Sequence, residues 1–237
     1  MAAEVRVLST PEAIGEMLAA EIAARHDATD GHFLLGCPGG RSLRTTYAAL
    51  GAMTRTFDRL VVVMMDEYVS VPADAHFSCT RFAREEIASP LGIPLDRVWV
   101  PDPTDPAAYE ARIESDGGIE LFLLASGASD GHVAFLPPGS GLDGRTAVVQ
   151  IAESTRRDNL VTFPQFLSLD EVPTHGVSVG LGTISASRSL RLVLHGRDKL
   201  AAAHRLLGLD RFDASWPASV VHSHPDAVVY LDSEAAP

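Results

Sequence analysis

Ile119-Glu120-Leu121-Phe122-Leu123-Leu124-Ala125-Ser126-Gly127-Ala128-Ser129-Asp130-Gly131-His132 runs from an apolar segment straight into a turn that carries an acid and an imidazole. The unbroken apolar run Leu121–Ala125 within it marks a strand covered on both faces, as in a parallel sheet. A turn that follows such a strand lies at the sheet's carboxyl edge, where open α/β folds bind ligands. Asp130 and His132 are therefore candidate catalytic residues, the carboxylate fixing the imidazole's tautomer for proton transfer. Gly131 between them allows a sharp backbone turn. Read without a ligand, the same turn is Asp130 capping backbone amides beside an exposed histidine.

Outward from this segment, short apolar runs alternate with helix-length amphipathic stretches, the pattern of a layered α/β protein with a mostly parallel sheet. Strands are expected at Val5–Leu8, Phe33–Gly36, Leu60–Met65, Val98–Val100, Leu121–Ala125, Val148–Ile151, Val177–Val179, Leu190–Leu194 and Val228–Leu231. Thr10-Pro11-Glu12 supplies an N-cap and a first-turn proline for a helix over Ala13–Ala24, with Ile14, Met17, Leu18 and Ile22 facing the sheet. Further helices are expected at Ser42–Met53, Ser78–Ile87, Pro106–Glu114 and Asp198–Leu207, with a short turn at Ile184–Ser187. No linker, repeat or low-complexity stretch divides the chain, so residues 1–237 are expected to form one domain.

Composition narrows the function classes. The 237 residues are 46% hydrophobic and 21% charged, ordinary for a soluble globular protein. A net charge of −12 with scattered basic residues opposes nucleic acid and anionic membrane as partners, because polyanions are held by clustered Lys and Arg. A small phosphorylated ligand is not excluded, since it needs only a few local donors. Cys37 and Cys79 are too few for a disulfide framework and lack metal-ligand spacing, so both are read as buried thiols. The N-terminal residues show no signal-peptide pattern and no run is long enough to span a bilayer, which gives a cytoplasmic address as the expectation.

Two more turns follow predicted strands. Cys37-Pro38-Gly39-Gly40-Arg41-Ser42 opens a helix, and paired glycines there let backbone N–H groups converge on an anion, with Arg41 and Ser42 as added donors. It is neither a Walker sequence nor a dinucleotide fingerprint, so neither ATP nor NAD is supported, and no cofactor is expected. Asp66-Glu67-Tyr68 ends the strand Leu60–Met65, making Asp66 a candidate general base and one of the two acids a structural cap. Lys199, in Gly196-Arg197-Asp198-Lys199, adds a candidate phosphate contact. His222 and His224 flank Ser223 in an expected loop, but no further donor stands at ligand spacing, so no metal site is assigned.

Taken together and in this order, these turns resemble the superfamily of glucosamine-6-phosphate deaminases and 6-phosphogluconolactonases, over nearly the whole chain. The motifs that carry the resemblance are the glycine turn, Met65-Asp66-Glu67-Tyr68, Asp130-Gly131-His132, Val179-Gly180-Leu181-Gly182-Thr183-Ile184 and Gly196 to Lys199. The resemblance implies a three-layer, Rossmann-like α/β/α domain with a mostly parallel sheet, similar to the glucosamine-6-phosphate deaminase fold, that binds a phosphorylated sugar. Met65 to Val69 and Val177 to Ile184 look more like the deaminase branch. That branch implies Asp66 as the base moving a proton between C2 and C1, His132 promoting ring opening with Asp130 behind it, and release of ammonia without a metal.

Three differences from the deaminase pattern stand out. Leu136-Pro137-Pro138-Gly139 replaces Asn-Glu-Pro-Gly, so Pro137 stands where deaminases place a Glu of the ring-opening group. Arg41 stands in a first turn that has lost hydroxyls. A phosphate-binding Arg downstream of the histidine turn has no secure match, leaving Arg156 and Arg157 as the nearby candidates. The paired glycines and Leu136 look like the lactonase branch, in which His132 would activate water against a lactone carbonyl. A sugar-phosphate sensor that keeps the fold without the chemistry is a third reading, suggested by Pro137. Deaminases of this kind are often oligomers, and no apolar patch in the sequence decides between a monomer and a homo-oligomer.

Overall fold

The computed structural model describes residues 3–237. Seven parallel strands form the central sheet: β1 (Glu4–Leu8), β2 (Phe33–Cys37), β3 (Leu60–Met64), β5 (Val98–Trp99), β6 (Leu121–Ala125), β9 (Leu190–Leu194) and β10 (Ala227–Asp232), in the order β1-β10-β9-β6-β2-β3-β5. Every residue of β2, β3, β9 and β10 is buried. Alternate side chains serve opposite faces. Leu34, Val61, Val63, Phe122 and Leu124 enter one apolar core, and Phe33, Leu35, Leu60, Val62, Met64, Leu121 and Leu123 enter the other. This two-sided burial is why the strands read as continuous apolar runs.

The helices α1 (Pro11–Ala28), α2 (Arg44–Gly51), α5 (Pro106–Ser115), α7 (Leu181–Ser185) and α8 (Leu200–Leu207) cover the sheet, together with a helical run made of α3 (Cys79–Phe82), a π-helical stretch at Ala83–Ala88 and α4 (Ser89–Leu91). Thr10 caps α1 by accepting a hydrogen bond from the Ala13 N–H, and Pro11 occupies its first turn. Ile14, Leu18 and Ile22 are buried as expected, but Met17 is 39% exposed, because the buried stripe runs instead through Gly15, where α1 meets the backbone of α2.

A second, antiparallel sheet was not anticipated. β4 (Asp66–Tyr68), β8 (His175–Ser178) and β7 (Ala147–Gln150) pair in the order β4-β8-β7. β7 and β8 were expected near these positions as members of the parallel sheet. Helix α6 (Glu153–Thr162), which follows β7, was also unforeseen, and Thr155 is its one fully buried residue. With no apolar stripe it carries no 3.6-residue signal.

Candidate functional site

The chain reverses its direction of winding between β2 and β6: β2 leads outward to β3 and β5, whereas β6 leads the opposite way to β9 and β10. Ligands of open α/β sheets bind outside the strands' carboxyl ends at such a reversal. A cavity of about 370 Å³ opens there, and Gly39, Gly40, Arg41, Ser42, Asp66, His132 and Lys199 all border it. Four separate segments thus bring their candidate residues to one space.

Asp66 stands where β3 passes into β4, between the parallel sheet and the small one, and is 6% exposed. Burial pushes its carboxyl up to about 7, against a hydrogen bond from the Cys79 thiol at 3.3 Å and with help from the charge of Glu67. A carboxylate that titrates near neutrality suits a general base. Glu67, the next residue, does different work. It accepts hydrogen bonds from the Thr80 N–H and hydroxyl, the Ser78 hydroxyl, the Cys79 N–H and its neighbour Tyr68 N–H, at 2.7–3.1 Å. Glu67 is therefore the structural cap of the two acids, anchoring the start of α3 beneath Asp66.

Beyond β6, Asp130 Oδ1 lies 2.7 Å from His132 Nδ1 and also accepts the His132 N–H at 3.1 Å. Its other oxygen accepts from the Ser154 hydroxyl of α6. Burial of Asp130 works against ionisation, but the hydrogen bond and charge of His132, followed by Ser154, outweigh it and hold the carboxyl well below the usual range. A carboxylate only accepts, so His132 Nδ1 carries a proton and Nε2 is the nitrogen left for a ligand. The pair fits because two glycines make room. A Cβ at Gly127 would fall 2.1 Å from His132 Nδ1, and Gly131 combines φ +67° with contact against the Trp216 ring. Ala134, on the cavity wall, holds φ +50°, a conformation costly for a residue with a Cβ and common at ligand sites.

Also bordering the cavity, the turn from Gly39 to Ser42 is steadied by Tyr47 of α2, whose hydroxyl donates to the Pro38 carbonyl at 2.9 Å. Arg41 rests on Asp198 at 3.7 Å, and Lys199 Nζ donates to the Ser126 carbonyl at 2.8 Å. Burial lowers the Lys199 ammonium's pKa, with Asp158 and Asp198 opposing. Arg156 and Arg157 do not join them. Arg156 turns away to the carbonyls of Leu169 and Val172, and Arg157 lies in solvent against Glu153. The α6 residues that do border the cavity are Thr155, Asp158, Asn159, Val161 and Thr162.

His222 and His224 are structural. Both are buried, His222 bonded to the Ala3 N–H and the Leu206 carbonyl and His224 to the Ser187 carbonyl and the Asp226 N–H. Asp130, His132 and Asp158 each bring one potential metal donor within 4.8 Å of the others. Asp130 already accepts hydrogen bonds from His132 and Ser154. No helix among the described residues is long and apolar enough to cross a membrane.

Residues 9–230 match the family model for glucosamine-6-phosphate isomerases and 6-phosphogluconolactonases. A glucosamine-6-phosphate deaminase of Mycolicibacterium smegmatis is 36% identical over 98% of this chain and 91% of its own length. One from Shouchella clausii is 32% identical over 85% of this chain and 84% of its own. The solved structure of a monomeric glucosamine-6-phosphate deaminase superposes with a TM-score of 0.91 at 27% identity, covering 98% of both chains. A 6-phosphogluconolactonase from Thermotoga maritima shares the fold at a TM-score of 0.75 and 20% identity, covering 97% of this chain and 99% of its own.

Proposed function

The chain belongs to the family of glucosamine-6-phosphate isomerases and 6-phosphogluconolactonases, and from that premise we propose that it is a cytoplasmic amino-sugar-phosphate deaminase of one domain. One observation carries the choice: a buried acid tuned near neutrality and a carboxylate-backed imidazole border the same cavity as a glycine turn flanked by cations.

The phosphate is held by the N–H groups of Gly39 to Ser42, with Lys199 and Arg41 adding positive charge. His132 promotes opening of the sugar ring. Asp66 then removes the proton from C2 of the open-chain amino aldehyde, giving an enol, and returns it to C1. The result is an imine at C2, which adds water and releases ammonia, leaving the ketose phosphate. No step requires a redox cofactor.

The lactonase alternative rests on Leu136-Pro137 and the paired glycines, with His132 activating water against a lactone carbonyl. It gives buried Asp66 no proton to move, and therefore ranks second. Purified protein offered glucosamine 6-phosphate, galactosamine 6-phosphate and 6-phosphogluconolactone separates the readings. Ammonia from an amino sugar phosphate is the expected result. Accelerated lactone hydrolysis without ammonia would establish the lactonase, and saturable binding without turnover would establish a sensor.

A further inference from the structure

Helix α6 leaves two polar atoms on the cavity wall without partners: Thr155 Oγ1, in a residue 1% exposed, and Asp158 Oδ2. Such atoms cost free energy when buried unless something bonds them, so their position at a ligand cavity points to a ligand donor. Asp158 also lies within 4.8 Å of the donor atoms of Asp130 and His132. Pro137 borders a different cavity, with Gln150 and Glu153, and supplies no proton carrier to this one. Among the described residues, the carboxylate that groups with the imidazole and its own Asp130 comes from α6.

Opening a cyclic hemiacetal moves two protons. One leaves the anomeric hydroxyl, O1, and another arrives at the ring oxygen, O5. Both oxygens are bonded to C1, so a group serving each must stand within a few ångströms of the other. The spacing of His132 and Asp158 meets that requirement. Resting on the deaminase reading above, we propose that Asp158 is a catalytic residue for ring opening: it accepts the O1 proton while His132, entering the step as the imidazolium with its Nδ1–H held by Asp130, gives its Nε2 proton to O5 and is left neutral. The O1–H electrons form the C1=O1 bond as C1–O5 breaks and its electrons take up the His132 proton. One proton is lost to Asp158 and one gained from His132, so the sugar's charge is unchanged. Water between the two side chains can return the proton. Thr155 donates to or accepts from a neighbouring sugar hydroxyl.

Ring opening can be read without deamination, because α and β anomers interconvert only through the open chain. Exchange NMR of glucosamine 6-phosphate with the Asp66→Asn protein isolates the step, since the base for the later proton transfer is gone. That protein should accelerate anomer exchange. Adding Asp158→Asn should cut the acceleration by about 10- to 100-fold, the scale of one acid or base, and Asp158→Glu should restore part of it. Unchanged exchange in the Asp158→Asn protein would overturn the proposal, as would absence of any acceleration by the Asp66→Asn parent. Ammonia release by the wild type is measured separately, so failure of the deaminase reading and failure of this role for Asp158 are distinguishable.

Discussion

The cavity's proton-transfer residues and its anion-binding residues are built on opposite plans. In the proton-transfer set the contacts are short and internal: Asp130 with His132 at 2.7 Å, Ser154 behind them, and Glu67 holding the helix start beneath Asp66. In the anion-binding set the cations rest on partners a phosphate could displace, Arg41 on Asp198 at 3.7 Å and Lys199 on a carbonyl. Proton transfer needs geometry fixed before the substrate arrives, whereas anion capture needs charges that are easily released. Substitutions in the first set should therefore strike turnover, and those in the second, affinity.

Asp66→Asn should show the largest effect. Steady-state ammonia assays should find kcat reduced about 10³-fold with substrate affinity retained, since only a proton acceptor is lost. The same carboxylate gives a pH signature. Burial holds it near 7 in the fold against 3.8 as its ordinary value, so the native state keeps a proton that the unfolded chain gives up. The cost to stability is absent below pH 4, grows as pH rises, and is complete above about pH 7. Asp66→Asn should thus be up to about 4 kcal/mol more stable than wild type at pH 8, and equal to it near pH 4, in urea unfolding. Wild-type turnover should rise with pH through about 7 as the base ionises.

Next comes Asp130→Asn, which removes the acceptor that fixes His132. A loss of about 10²-fold in kcat is expected, with affinity near wild type. A comparable loss in affinity alone would erase the contrast between the two sets. Lys199→Ala should act the other way, raising KM about 10-fold with kcat little changed, on the scale of one charged hydrogen bond. The smallest effect sharpens the contrast most. Asp198→Asn frees Arg41 from its resting partner and should lower KM about twofold, the worth of an exposed ion pair. An increase in KM would place Asp198 itself in contact with the sugar.

The parallel sheet was legible because burial on both faces writes a continuous apolar run, and the turns after β2, β3 and β6 were legible because strand ends fix where they lie. Asp66, Asp130, His132 and Gly39 to Ser42 were named from those turns and Lys199 from the turn after β9, and they border or support one cavity. The second sheet was not readable as a sheet: strands were expected near β7 and β8, but neither β4 nor their antiparallel pairing was. β4, β7 and β8 are short, and antiparallel pairing depends on partners far apart in sequence. Helix α6 was silent because it lies on the cavity rather than the core. Sequence proximity then drew attention to Arg156 and Arg157, whereas the helix turns Thr155, Asp158 and Asn159 toward the cavity. Ser154 behind Asp130 and Cys79 beside Asp66 were likewise invisible, since each is defined by a contact between separate elements. The His222 and His224 pair was assigned no metal role from spacing, and its burial, with a hydrogen bond from each ring to a carbonyl, was not foreseen.

Hydrogen exchange at carbon tests most directly whether acid and imidazole work on one sugar. The ketose phosphate product, held with ammonium and the protein in D₂O, should acquire deuterium at C1 with wild type and acquire none above background with Asp66→Asn. Equal deuterium uptake by both proteins would contradict a role for Asp66 as the base.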